Sequence, residues 1–179
     1  MILEKWRGIE PSWQEPCYIA STAVLSGDVQ MGKKCNIWHH VVMRGDGGSN
    51  IRLGDYGNVQ ECSVVHLDKD HPCHIGNYVT IGHNAIIHGC TIEDNCLIGM
   101  GAIIMNGAVI GKGSTVGAGA LVTQNMIIPP NSLVVGFPAQ VIRTLDAEAE
   151  AGNIRHAAGY WQHALDYMPE ADKSEAESE

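Results

Sequence analysis

The 179-residue sequence predicts an all-β solenoid: a parallel β-helix of hexapeptide repeats with one C-terminal α-helix packed along it. Three observations carry this. An aliphatic residue recurs every six positions over most of the chain. Glycine is abundant, at 21 residues, whereas Phe occurs once, which suits many tight turns around a narrow aliphatic core. Near the C-terminus the six-residue step gives way to spacings of three and four.

Residues 1–143 form the expected solenoid domain. Its register opens with Ile19, Leu25, Met31, Ile37 and Met43, resumes with Leu53, Val59 and Val65, and continues through Ile75, Ile81 and Ile87. From Ile92 it runs unbroken through Ile98, Ile104, Ile110, Val116, Val122, Ile128 and Val134. Ile and Val number 32 of 179, so eight consecutive hits have a chance of about one in a million. A period of six fits neither a helix nor a long strand. It fits a coil of short flat faces, each placing one aliphatic inward and turning where Gly or Asn relieves the backbone. Three breaks interrupt the count: an insertion over Arg44 to Asn50, another between Val65 and Ile75, and a one-residue slip between Ile81 and Ile92. Function tends to sit on loops carried by rigid scaffolds, so these breaks are the places to look.

Pro129, Pro130 and Pro138 close the solenoid. Residues 144–168 are the expected helix. Ile154, Ala158, Trp161, Leu165 and Met168 share one face, and Asp146, Glu148 and Glu150 suit its N-terminus. Residues 169–179 hold five acids and one Lys, the composition of a disordered tail.

Lys plus Arg is 11 and Asp plus Glu is 20, a formal charge of −9. That balance argues against nucleic acid or an anionic membrane as partner. No apolar run approaches the ~18 residues of a membrane span, and Met1 to Glu10 has no signal-peptide core. Six cysteines without CxxC spacing read as reduced thiols, and a cytoplasmic location is expected.

His66, His83 and His88 are spaced H-x16-H-x4-H around the breaks. Seventeen residues is nearly one turn of three faces, which predicts His66 and His83 on adjacent coils. Three neutral imidazoles suit Zn²⁺ and leave a fourth position for water. The competing reading is three scattered surface histidines among nine.

Arg44-Gly45-Asp46, Gly57-Asn58-Val59-Gln60-Glu61, His66, Ile81-Gly82-His83 and His88-Gly89-Cys90-Thr91, in that order, resemble the gamma-class carbonic anhydrase family over roughly residues 10–168. The resemblance implies a homotrimer of left-handed β-helices with a metal at each subunit interface. His66 and His88 would come from one subunit and His83 from its neighbour. It implies Zn²⁺, with Fe²⁺ or Co²⁺ compatible with the same donors, and reversible hydration of CO₂ to bicarbonate by a metal-bound hydroxide. Arg44 and Asp46 would pair across the trimer contact, with Asn58 beside the site. Gln60 and Glu61 would orient the reacting groups, and Tyr160 would approach from the helix.

Two departures bear on activity. Glu61 stands where Asp is usual, and the loop Gly47-Gly48-Ser49-Asn50 lacks the glutamates that shuttle protons in the family. Asp68, Asp70, His71 and His74 on the second loop are alternative proton carriers. Cys90 reads as core, since three histidines suffice. Two other functions fit the repeat: an acyl-CoA-dependent acyltransferase with one catalytic His, and a catalytically silent metal-binding trimer. The former needs a cationic phosphate site, yet Lys112 is the single basic residue from Ile92 to Val134.

Overall fold

The computed structural model describes residues 1–170 and 173. The acidic tail expected over 169–179 falls, apart from 169, 170 and 173, outside the described residues. Short parallel strands stack into three sheets around a triangular core. The first sheet orders Ile2–Glu4, Val24–Gly27, Val42–Gly45, Val64–His66, Ile86–His88, Ile103–Ile104 and Leu121–Val122. The second runs from Ser12–Trp13 through Val29–Met31, Ile51–Leu53, Cys73–Ile75, Thr91–Ile92 and Val109–Ile110 to Ile127–Ile128. The third orders Tyr18–Ile19, Asn36–Ile37, Asn58–Val59, Thr80–Ile81, Leu97–Ile98, Thr115–Val116 and Ser132–Gly136, and ends on the antiparallel strand Ala139–Thr144.

The six-residue register is the core. Every aliphatic in it from Leu25 to Val134 is at most 4% exposed, each stacked on its counterpart one coil away. Ile19, at the open end, is only partly buried against the cluster. Coil length follows the breaks. Val24 pairs with Val42 eighteen residues on, three hexapeptides, whereas Val42 pairs with Val64 and Val64 with Ile86, twenty-two residues each. Ile86 pairs with Ile103 after seventeen, the one-residue slip.

Corners do not depend on Gly and Asn alone. Along one edge Lys34, Tyr56, Tyr78, Asn95, Gly113 and Asn131 all take positive φ, between 53° and 70°. A side chain there costs roughly 1–2 kcal/mol. Corner hydrogen bonds between coils, such as Tyr78 N–H to Asp55 O at 2.8 Å, offset it. Tyr56 and Tyr78 also stack their rings 4.6 Å apart.

The helix α1, Ala147–Leu165, lies on the third sheet. Asp146 caps it by accepting the Ala149 N–H at 2.9 Å. Its buried stripe is Asn153, Ala157, Trp161, Ala164 and Leu165, one residue out of phase with the expected Ile154 and Ala158. The displacement has a polar cause: Asn153 Nδ2 donates to Asn95 O at 3.0 Å, anchoring the helix to buried corner backbone. Farther along, Trp161, Ala164 and Leu165 pack with Trp38, Tyr18 and Tyr160 in a second, aromatic cluster. Among the described residues no helix is long and apolar enough to cross a membrane.

Candidate metal centre

Strand alternation turns Val65 and Ile87 inward, so Val64 and His66, like Ile86 and His88, face outward on the first sheet. The twenty-two-residue coil brings His66 into register with His88. His66 and His83, expected on adjacent coils, are not in register with each other, because the four-residue insertion between Val65 and Ile75 delays the chain by two-thirds of a face. His83 stacks instead over Glu61, at the corner leaving the third sheet.

The hydrogen-bond partners assign the tautomers. Asp46 Oδ1 lies 3.1 Å from His66 Nε2 and its other oxygen takes Arg44 Nη1 at 2.5 Å. Burial alone would raise the Asp46 carboxyl, but the bonds from Arg44 and His66 outweigh it and hold its pKa below the usual value. An ionised carboxylate only accepts, so the His66 proton is on Nε2. Burial, reinforced by Arg44 and His88, lowers the His66 pKa against the pull of Asp46 and favours the neutral ring. Nδ1 of His66 is then a bare lone pair. Asn106 turns its carbonyl oxygen to His88 Nδ1, which leaves His88 Nε2 bare. These two bare nitrogens face each other at 3.0 Å. Two lone pairs at that distance repel unless a cation lies between them. Two nitrogen ligands of one tetrahedral ion, with bonds of ~2.0–2.1 Å, sit about 3.3 Å apart, so the pair fits a divalent metal.

His83 follows the same pattern. Its Nδ1 donates to Glu61 Oε2 at 2.7 Å, leaving Nε2 free on a half-exposed ring. Each candidate ligand thus has one N–H held by an oxygen acceptor, the arrangement that orients metal-binding imidazoles. The single chain does not assemble all three: among the described residues no group of three His, Cys, Asp or Glu could hold a metal.

The other expected residues divide between two places. The Arg44–Asp46 pair, expected across a subunit contact, closes within one chain. Asn58, Gln60 and Tyr160 lie with His83 on the other side. Gln60 is buried and donates Nε2 to Asn58 Oδ1 at 3.2 Å; Asn58 Nδ2 donates to Thr80 Oγ1 at 2.8 Å. Gln60, His83, Leu97, Met100, His156 and Tyr160 line a cleft of about 370 Å³ between the third sheet and α1. Burial, with a contribution from Glu61, raises the Tyr160 pKa, so its hydroxyl remains a donor. Glu61 spends one oxygen on His83. Cys90 is buried beside Cys73, whose thiol contact and the surrounding core push its pKa well up; it is a core thiol.

Sequence reasoning missed Asn106. Its signal was only partial: across the seventeen-residue slip the register that pairs Ile87 with Ile104 carries His88 to Met105, and Asn106, one residue farther on, is what meets His88 Nδ1. Of the alternative proton carriers, His71 is bound through Nδ1 to Asp68 at 2.9 Å, and His74, on the second sheet, meets Asn50 Oδ1 at 2.8 Å.

Residues 89–124 match the family described as Bacterial transferase hexapeptide (six repeats), and residues 72–104 the Hexapeptide repeat of succinyl-transferase. The chain is 58% identical over 130 residues to a Methanocaldococcus jannaschii protein named "Probable carbonic anhydrase", covering 73% of this chain and 81% of that protein. It is 42% identical over 91 residues to Gamma carbonic anhydrase 2, mitochondrial, of Arabidopsis thaliana, covering 48% of this chain and 32% of that one. A solved hexapeptide transferase family protein from Anaplasma phagocytophilum superposes with a TM-score of 0.89 at 36% identity, over 93% of this chain and 98% of that chain.

Proposed function

The chain belongs to the gamma-class carbonic anhydrase family, and from that premise we propose that it interconverts CO₂ and bicarbonate at a Zn²⁺ centre shared between subunits of a homotrimer. The observation that carries the reading is the pair of bare nitrogens on His66 and His88, 3.0 Å apart, with a third ligand-ready imidazole on a different face. Three nitrogen donors suit Zn²⁺, and also Fe²⁺ or Co²⁺. A divalent ion bound there supplies a Lewis acid that brings the ionisation of water near neutral pH.

The residues around it have separable work. Asp46 and Glu61 hold His66 and His83 in the ligating tautomer. Gln60, fixed by Asn58, presents an amide that can orient CO₂ or bicarbonate from the His83 side. Tyr160 can donate a hydrogen bond into the same cleft, and the apolar Leu97 and Met100 restrict water beside it. Hydration releases a proton, and the loop Gly47-Gly48-Ser49-Asn50 offers no carboxylate to carry it away. Turnover is therefore limited by proton export.

The trimer is supported by an outward ladder on the first sheet. Ile2, Val24, Val42, Val64, Ile86, Ile103 and Leu121 lie in register, beside His66 and His88. Ile2, Val64 and Ile86 are 38–51% exposed in the single chain. A contiguous apolar strip of this length marks an association surface, and a neighbour seated there would bring His83 to the pair. An acyl-CoA-dependent acyltransferase is not favoured, because Lys112 is already within 3.5 Å of Glu150.

The test is subunit complementation, read as metal per chain by plasma emission. His83→Ala and the double variant His66→Ala/His88→Ala should each lose metal. Co-expressed in equal amounts, they should regain about a quarter of the sites by random mixing. Metal retained in His83→Ala would overturn the triad, and no recovery on mixing would overturn the shared site.

A further inference from the structure

We propose that Asp68 and Asn106 form a polarity relay that locks His88 in its ligating tautomer: a positioning pair outside the ligand set. The inference rests on the metal reading above, and its test separates the two.

The relay follows from what each group can donate. Asp68 opens the inserted loop of the twenty-two-residue coil. Its Oδ1 accepts the backbone N–H groups of Asp70 and His71, each at 2.9 Å, and His71 Nδ1 at 2.9 Å. With that oxygen saturated, Oδ2 is left for Asn106, whose Nδ2 donates to it at 2.5 Å. A carboxylate only accepts, so the NH₂ end of the Asn106 amide must face Asp68. The carbonyl end must then face His88. A carbonyl also only accepts, so His88 Nδ1 must carry the proton and Nε2 must be bare, aimed at His66. Without Asp68 the amide could turn over, present NH₂ to His88 and draw the imidazole into the opposite tautomer.

Two sequence features without another role fit this device. The inserted residues after Leu67 provide the loop that carries Asp68 and His71 over the neighbouring coils. Gly89, at φ +52°, provides the notch in which it sits: a Cβ there would lie 2.8 Å from His71 Cβ and 3.2 Å from Asn106 Oδ1. The slip that shortens the coil after His88 therefore does more than tighten a corner. It leaves the space through which the relay reaches the ligand.

The donor–acceptor order can be reversed without loss, which makes the experiment decisive. Asp68→Asn alone frees the amide to turn, and Asn106→Asp alone sets two carboxylates against each other. In the double variant Asp68→Asn/Asn106→Asp, the introduced amide donates to the introduced carboxylate, which still accepts from His88, while its own carbonyl accepts from His71. The readout is affinity for Co²⁺ and Zn²⁺ of the metal-stripped full chain by chelator competition, with the visible Co²⁺ spectrum. Sedimentation confirms assembly. Each single variant should weaken binding about 10- to 100-fold, the usual effect of removing a partner that orients a ligand. The double variant should recover most of that loss and the parent Co²⁺ spectrum. Unchanged affinity in both single variants, or a double variant no better than the weaker single, overturns the relay. His88→Ala is measured alongside: its loss of metal leaves the metal reading standing whatever the relay does, and metal retained in it overturns both.

Discussion

Replacing Ile86 by Asp separates assembly from folding. Ile86 sits mid-ladder between Val64 and Ile103 and is 43% exposed. It adds nothing to the solenoid core, whose rung at this level is the fully buried Ile87. The folded chain should therefore lose no more than about 0.5 kcal/mol. In a trimer the same face is covered. Roughly 80 Å² of apolar side chain at about 25 cal/mol per Å² is worth about 2 kcal/mol per copy, or about 6 kcal/mol for three. A carboxylate that must shed water adds several kcal/mol per copy. At 1.4 kcal/mol per decade, the apolar loss alone weakens association about ten-thousandfold. Sedimentation velocity at micromolar protein, with metal content measured in the same fractions, is the assay. The expected result is a monomer with unchanged far-UV circular dichroism and little bound metal. A trimer with full metal occupancy would refute the reasoning, because the ladder would then not be the contact that completes the site.

Ile104→Ala truncates a fully buried rung and should cost about 2–5 kcal/mol in denaturant unfolding; a cost below about 1 kcal/mol would mean the coils close over the gap. Burial raises the Cys96 thiol from 9.0 to about 12. The unfolded chain thus releases this proton first, and the stability it contributes, complete below pH 9, falls by about 1.4 kcal/mol per unit as pH rises toward 12. Cys96→Ala should unfold with a shallower alkaline slope than the parent, and equal slopes would contradict this. CO₂ hydration followed by stopped flow at fixed pH should be slow and should rise with added imidazole, which carries the proton the Gly47–Asn50 loop does not. A fast rate indifferent to buffer would show that a residue such as His71 already exports it, and no hydration by the metal-loaded protein would leave a silent metal-binding trimer.

The solenoid was legible from sequence because its cause is local. Each face is too short to bury more than one side chain, so an inward aliphatic must recur every six residues, and from Leu25 to Val134 each one is buried. The insertions and the slip were legible too, as gaps in that count. Their consequence was not. Four extra residues move a histidine by most of a face, so a plain residue count misplaces His83, whereas counting rungs sets Ile87 over Val65 and with it His88 over His66. The first half of the helix stripe shifted by one residue, from Ile154 and Ala158 to Asn153 and Ala157, because Asn153 found a carbonyl on a corner 58 residues away, while Trp161 and Leu165 are buried as expected. Asn106 and Asp68 are separated by 38 residues and belong to no motif, and only the stacking of coils sets one against the other. Periodicity reports the environment each residue repeats, whereas the site depends on contacts between coils that differ in length, which tertiary structure alone decides.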